Sequence, residues 1–284
     1  MTLRLAGAAH RAFDGRPPAP ADPFLVRIYT DMAELYGTTF DQERLERAHR
    51  NTFSRMAEGL LDTLPALDDP LDLVVLASAE PDFDPRQSAV AYLSERVPGR
   101  PLGFALSDQG DAAPYTALRL AGAYAAAGQA GRVLVTAMDQ TTTPADPRPP
   151  RQGVGARDGA AALVLSAAGP GAPTEVRQYA GLTPDEADSQ LRAVLEDGVV
   201  TTLIAGAGLA PERITPLSGA RTEVVRPSTE FPCSGVWGLL AERLPDFTRE
   251  GGTVVVADYV SQGPDGSGRG ELSLCVVDFG AATV

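Results

Sequence analysis

Lysine is absent from this chain of 284 residues, histidine and cysteine occur only twice each, and no run of eighteen uncharged apolar residues exists. Each scarcity excludes something. Without a long apolar run there is no candidate membrane-spanning helix. The start, MTLRLAGAAHRAFDG, lacks the ordered charged, apolar and cleavage regions of a signal peptide, so a soluble, cytoplasmic protein is the expectation. Two cysteines form no disulfide framework, and their surroundings differ too much for a metal pair, so neither a metal nor a bound cofactor is expected. Cys275, inside LSLCVVDF, reads as inert core. A formal charge of −13 works against nucleic acid and against acidic partners, through long-range repulsion.

What remains is an apolar-rich chain, 44% hydrophobic, long enough for one large domain or two fused halves. Leu3 to Ala9 predicts a first strand. FDQERLERAHRNTFSRMAEGLLDTL predicts one amphipathic helix, with Leu45, Ala48, Phe53, Met56, Leu60 and Leu64 recurring at three- and four-residue steps. LDLVVLASA (71–79) is a nearly continuous apolar run of strand length, as in a buried parallel strand. PRQSAVAYLSERV predicts a helix, and RPLGFAL a strand. A small-residue helix, about 112–127, then precedes the strand RVLVTAM and the strand AAALVLSA, separated by the proline-rich loop TTTPADPRPPRQGVGARDG.

The second part repeats the rhythm. EVRQYAGL reads as a strand, DEADSQLRAVLEDGVVTTLIAGAGL as a helix or helix pair, and CSGVWGLLAERLPDF as a helix. TVVVADYV and ELSLCVVDF close as strands around QGPDGSGRG. Strand, loop, strand at 132–166 matches strand, loop, strand at 253–279. This implies an α/β chain of two related halves, 1–170 and a shortened 171–284, in one compact unit.

The turn FALSDQGDAAPYTALRLAGAYAAAG, 104–128, joins a strand to a small-residue helix, the place where many α/β enzymes hold a nucleophile. Yet it offers no cysteine and no usable serine. VVLASAEPDFDPRQSA, YTALRLAGAYAAAGQAGRVLVTAMD, GARDGAAALVLS and LEDGVVTTLIAGAGLAPERITPL, in that order and spacing, resemble the thiolase-like condensing enzymes, in particular the ketoacyl-ACP synthase III branch. The resemblance covers most of the chain and implies a thiolase-like fold, two pseudo-duplicated halves in α-β-α-β-α layers.

That family performs acyl transfer and decarboxylative condensation with a Cys at a helix start, a His and an Asn. Carried across, the nucleophile position falls on Gly110 when anchored at Phe104, or on Asp111 when anchored on the helix and RVLVTAM. The His position falls on Leu217, within Pro216-Leu217-Ser218-Gly219-Ala220, and the Asn position near Phe231. Only thirteen residues separate Leu217 from Phe231, too few for the helix that divides them in the family. The resemblance therefore implies a degenerate member without catalytic residues, similar to the inactive subunit of heterodimeric alkylquinolone synthase. Acyl-CoA or acyl-ACP would be handled by an active partner in a heterodimer, with contact through the helix 112–127 and the strand 132–138. The acidic surface places carrier-protein docking on that partner. The composition, rich in Ala, Arg, Gly and Pro, fits a GC-rich bacterium and a secondary-metabolite pathway.

Two other readings stay open. A stand-alone acyltransferase, hydrolase or cyclase would use Asp108 or Asp111; a homodimer would bind an acyl or polyketide ligand without reacting. Asp111 also suits helix capping, with Pro114 in the first turn, while Asp108 and Gln109 suit a polar turn. A Gln at the nucleophile site does occur in chain-length-factor subunits. Cys233 precedes a helix whose dipole would favour a thiolate. The only imidazoles are His10, read as a turn or interface residue ending the first strand, and His49, read as half-buried on the apolar stripe of its helix; neither is expected near Cys233. GPDGSGRG joins strands and opens no helix, so it is not read as a phosphate loop.

Overall fold

The computed structural model describes residues 2–17, 22–35, 37–64, 67–142, 157–168, 171–197, 200–214, 222–261 and 268–280. The first half runs β1 (Arg4–Phe13), α1 (Pro23–Leu35), α2 (Gln42–Arg47), α3 (Phe53–Leu61), β2 (Leu71–Ser78), α4 (Ala89–Arg96), β3 (Gly99–Leu106), α5 (Ala113–Ala126), β4 (Arg132–Asp139) and β5 (Asp158–Ser166). The second runs β6 (Ala172–Leu182), α6 (Pro184–Asp197), β7 (Val200–Ala205), α7 (Pro211–Ile214), β8 (Glu223–Val225), α8 (Gly235–Glu250), β9 (Thr253–Ser261) and β10 (Gly270–Asp278).

Both halves have one topology. The strand order is β3-β2-β4-β5-β1-β6-β10-β9-β7-β8, so each half is the other read backwards. In the first, β3, β2 and β4 are parallel while β5 and β1 run antiparallel. In the second, β8, β7 and β9 are parallel while β10 and β6 run antiparallel. The halves meet where Arg4 and Leu5 of β1 pair with Pro173 and Ala172 of β6.

The central strands are apolar at consecutive positions because both faces are covered. Val133, Val135 and Ala137 of β4 and Val254 and Val256 of β9 face inward, onto α5 and α8. Leu134 and Met138 face the opposite way, onto α3 and α4. Val255 and Ala257 face α6 and α7. The result is five layers, with α5 and α8 sandwiched between the two half-sheets. Alanine in α5 permits that close approach: Ala113, Ala117, Ala121 and Ala125 are fully buried. Tyr115 of α5 meets Trp237 of α8 edge-on, with ring centroids 4.8 Å apart.

Two local expectations are corrected. The single helix expected across 40–64 is two, because two caps start separate helices: Asp41 accepts the Arg44 N–H at 2.9 Å, and Thr52 accepts that of Arg55 at 3.2 Å. Between them Arg50 takes a positive φ of 60° and turns its guanidinium onto the carbonyls of Leu45 and Ala48, ending α2. His49 lies in this break, outside any helix. The other correction is the segment after α6, where Val200–Ala205 is a strand. Its β-branched residues Val200, Thr201, Thr202 and Ile204 favour an extended chain, and it pairs in parallel with both β8 and β9.

Candidate functional site

The turn from β3 into α5 consists of Ser107–Gln109 and a single 3-10 turn, Gly110–Ala112. Two residues in it adopt positive φ, Asp108 at 64° and Gly110 at 56°, which reverses the chain sharply. Asp108 and Gln109 face solvent. Asp108 receives the Ser107 hydroxyl at 3.0 Å, and the Gln109 side-chain Oε1 accepts the Thr116 hydroxyl at 2.6 Å, tying the turn back to the helix. The N-cap position of α5 belongs to Ala112, not to Asp111 as the capping reading had it, and Pro114 occupies the first turn. Asp111 is half-buried, and its charge acts on groups in the protein interior.

Those groups come from the ends of inward-facing strand rows. Asp139 continues the β4 row of Val133, Val135 and Ala137, and Asp258 continues the β9 row of Val254 and Val256; the two-residue period aims both carboxyls at the central helices. Asp139 accepts the backbone N–H of Cys233 at 2.8 Å and the N–H and hydroxyl of Ser234 at 2.6 Å each, holding the start of α8. Burial pushes its pKa up to about 7 against those donors, with Asp111 adding to the rise. Asp258 accepts the N–H groups of Gly208 and Tyr259 at 3.0 and 2.8 Å. Burial first, then the Asp111 charge, lift it to about 8.

Tyr115, in the first turn of α5, is fully buried, and among the described residues its hydroxyl has no hydrogen-bond partner. Burial, reinforced by Asp258, Cys275, Asp111 and Cys233, holds its pKa well above the usual phenol value. The turn after β7 is built around Asp258: a side chain on Gly206 would overlap that carboxylate, and one on Gly208 would overlap the Tyr259 carbonyl. Arg226 donates to the carbonyls of Gly206 at 3.4 Å and Leu209 at 2.5 Å.

Of the carried-over positions, Gly110 and Asp111 lie at the start of α5, Phe231 packs elsewhere, and Leu217 lies outside the described residues. The Phe231 ring stands edge-on to His10 at 5.4 Å, beneath the Arg157 guanidinium, and against Gly159, where a methyl group would overlap it. It borders a cavity of about 40 Å³ that also touches Ala205, Ala207, Arg226 and Val236. His10 sits within β1, opposite Ala161, rather than in a turn. Burial lowers its pKa, partly offset by Glu242 at 3.5 Å. Cys233 is fully buried, and burial followed by the charges of Asp139 and Asp111 raises its thiol well above the ordinary value, opposite to an activated thiolate. Cys275 is pushed by burial up to about 12. Most of the loop 140–157 and of 262–269 lies outside the described residues.

The arrangement gathers carboxyls, a phenol and two thiols, all biased toward their protonated forms. Among the described residues it presents no thiol with a lowered pKa. Among the described residues no group of three or more His, Cys, Asp or Glu is placed to hold a metal ion, and no helix is long and apolar enough to cross a membrane. Sequence reasoning missed Asp139, Asp258 and Tyr115. The available signal was phase: in VLVTAMD and VVVAD the acidic residue falls in step with the inward-facing row.

No protein-family model matches the chain, and no curated protein matches it. Solved structures do. The tetronic acid condensing enzyme AbyA1 superposes with a TM-score of 0.62 at 16% identity, over 98% of this chain and 100% of its own. The 3-oxoacyl-(acyl carrier protein) synthase III FabH from Pseudomonas aeruginosa PAO1 gives 0.58 at 17%, over 100% and 99%. A chain of the ishigamide ketosynthase/chain length factor gives 0.60 at 13%, over 98% and 99%. The chain thus has the thiolase-like fold of ketosynthase III enzymes, end to end.

Proposed function

We propose that this chain is a non-catalytic ketosynthase III-like subunit that pairs with an active ketosynthase or acyltransferase in the assembly of polyketide or fatty-acid-derived secondary metabolites. The observation that carries this reading is the start of α5: on a thiolase-like scaffold it presents Gly110 and Asp111 where an acyl-transfer enzyme needs a thiolate at a helix start. Acyl-CoA or acyl-ACP would then be handled by the partner.

Pairing is supported by the edge of the sheet. Among the described residues β3 ends the strand order with one edge unpaired, and Leu102 on it is 53% exposed. Such an edge is a template for a strand of another chain. The structural neighbours include a condensing enzyme, an acyltransferase and a ketosynthase/chain length factor, which supports a role in the same chemistry.

Co-expression with a ketosynthase-like partner tests the reading. The expected result is a one-to-one complex by size and native mass, dissociated by Leu102→Arg, with acyl transfer requiring both chains. Incubated alone with acyl-CoA, this chain gains no acyl mass. A covalent acyl adduct on the isolated chain would overturn the proposal and favour an enzyme working through Asp111.

A further inference from the structure

Among the described residues four large apolar side chains stand exposed, and three of them belong to one helix, α1: Phe24 at 60%, Met32 at 47% and Leu35 at 80%. The helix already has an anchored face. Leu25, Tyr29 and Ala33 are buried on it; Leu25 and Tyr29 pack with Leu45 and Phe83, and the Tyr29 hydroxyl donates to the Phe83 carbonyl at 2.5 Å. Beside that face Phe24, the half-buried Ile28, Met32 and Leu35 form a second apolar row, at steps of four, four and three residues. Such steps keep all four on one side over about 16 Å, the pattern of a helix that packs on another helix. On the outer flank of the row lie Arg27, Asp31 and Glu34, all exposed, with Arg27 and Asp31 ion-paired at 3.8 Å.

We propose that this row is a self-association surface, on which a second copy of the chain lays its own α1 antiparallel across a twofold axis. Charge and area select that occupant. A twofold axis turns one helix end for end, so a given flank meets the same flank of the other copy, and if residue i meets residue j then j meets i. Centring the row on itself sets Phe24 level with Leu35 of the second copy, and Arg27 level with Met32 there, beside Asp31 and Glu34. Each copy thus brings one cation to two acids at the rim of an apolar strip, an arrangement of opposite charges that favours docking in this register. A parallel pairing would set the charged flank against the body of the second copy instead. As to area, Phe24, Met32 and Leu35 expose on the order of 350 Å² per copy, about 700 Å² for two, below the roughly 1,200 Å² at which stable interfaces begin. A strip of that size suits a weak, reversible contact, and the formal charge of −13 on each copy keeps it weak through long-range repulsion. The row is on α1, not on the β3 edge invoked for pairing with a ketosynthase, so this contact does not rest on that reading and would join two such complexes.

Sedimentation velocity on the whole chain at physiological ionic strength, from micromolar to near-millimolar concentration, is the test. The expected result is a reversible monomer–dimer equilibrium, weakened about tenfold or more by Leu35→Asp and unchanged by Leu102→Arg. Arg27→Glu should weaken it as well, and the charge-exchanged chain carrying Arg27→Glu, Asp31→Arg and Glu34→Arg should recover it. Should Leu35→Asp fray the end of the helix, Met32→Asp in its middle gives the same reading. A chain that stays monomeric throughout overturns the proposal, as does self-association that survives both aspartate substitutions or disappears in Leu102→Arg. A charge-exchanged chain that associates no better than Arg27→Glu alone overturns the antiparallel pairing. If Leu35→Asp dissolves a one-to-one complex with a ketosynthase while the isolated chain is a monomer, the row belongs to that partner and the proposal fails. Self-association is measured on the isolated chain, so its failure is distinguishable from failure of the pairing experiment.

Discussion

The carboxylate of Asp139 accepts both the backbone N–H and the hydroxyl of Ser234, each at 2.6 Å, so the last residue of β4 in one half grips the first turn of α8 in the other. A third donor, the Cys233 N–H, completes the clasp at 2.8 Å.

Removing that acceptor leaves buried donors unmet. Asp139→Ala should lower the free energy of unfolding by roughly 2–5 kcal/mol, and Ser234→Ala by about 1 kcal/mol, because the second change deletes a single hydroxyl and leaves both backbone bonds in place. Urea melts of the three proteins give the comparison. An Asp139→Ala loss below about 0.5 kcal/mol, the range of an ordinary surface change, would contradict the clasp.

Stability should also fall as pH rises from about 4 toward 8. Asp139 and Asp258 have folded-state pKa values raised from 3.8 to about 7 and about 8. The folded chain therefore holds more protons than the unfolded one in that window, and the stabilisation from the protonated acids, complete below the unfolded value, is lost as pH climbs through the folded values. The steepest slope is about 1.4 kcal/mol per pH unit for each such group. Melting curves collected between pH 4.5 and 8.5 should flatten in the Asp139→Asn, Asp258→Asn double variant, and an unchanged slope there would refute the assignment.

Gly206 and Asp258 should be strongly coupled. Gly206→Ala thrusts a methyl group into the Asp258 carboxylate, whereas Asp258→Ala vacates that space. In a double-mutant cycle the combined loss should be smaller than the sum of the single losses by about 1–3 kcal/mol. Gly159 and Phe231 offer a parallel cycle, since the Phe231 ring fills the space that a side chain on Gly159 would need. Additive losses in both cycles would show that these contacts are not in the folded protein.

Thiol chemistry gives a rapid check. Cys233 and Cys275 are buried, with pKa values raised by burial, so both should resist a disulfide reagent at pH 8 in the native protein and react together on unfolding. Fast labelling of Cys233 in the folded state would mean that the start of α8 is open to solvent.

The layered fold was legible because its strands are apolar on both faces and its central helix is nearly all small residues, signals that survive even at 12–17% identity to the structural neighbours. Gly110 and Asp111 lie in the turn before α5, a boundary legible because a strand and a small-residue helix flank it. The break at Arg50 was hidden because Leu45 and Phe53 keep helical spacing across it, and the caps at Asp41 and Thr52 decide the matter locally. β7 was hidden by the apolar and small residues that follow a real helix without a proline or a charge between them. Asp139 escaped notice because an aspartate at a strand end reads as a turn residue, and Asp258, inside its strand, because which face points inward is known only once the strand is packed.

The seam at β1 and β6 joins the two half-sheets through only two residue pairs, Arg4 with Pro173 and Leu5 with Ala172. Cohesion between the repeats then comes largely from α8 packed on β1 and β5, from α5 packed on β6, and from the Asp139 clasp on Cys233 and Ser234, none of which needs a peptide link from one repeat to the other. Severed just after Ala168, the polypeptide would keep its means of reassembly, as two fragments that recognise each other by shape.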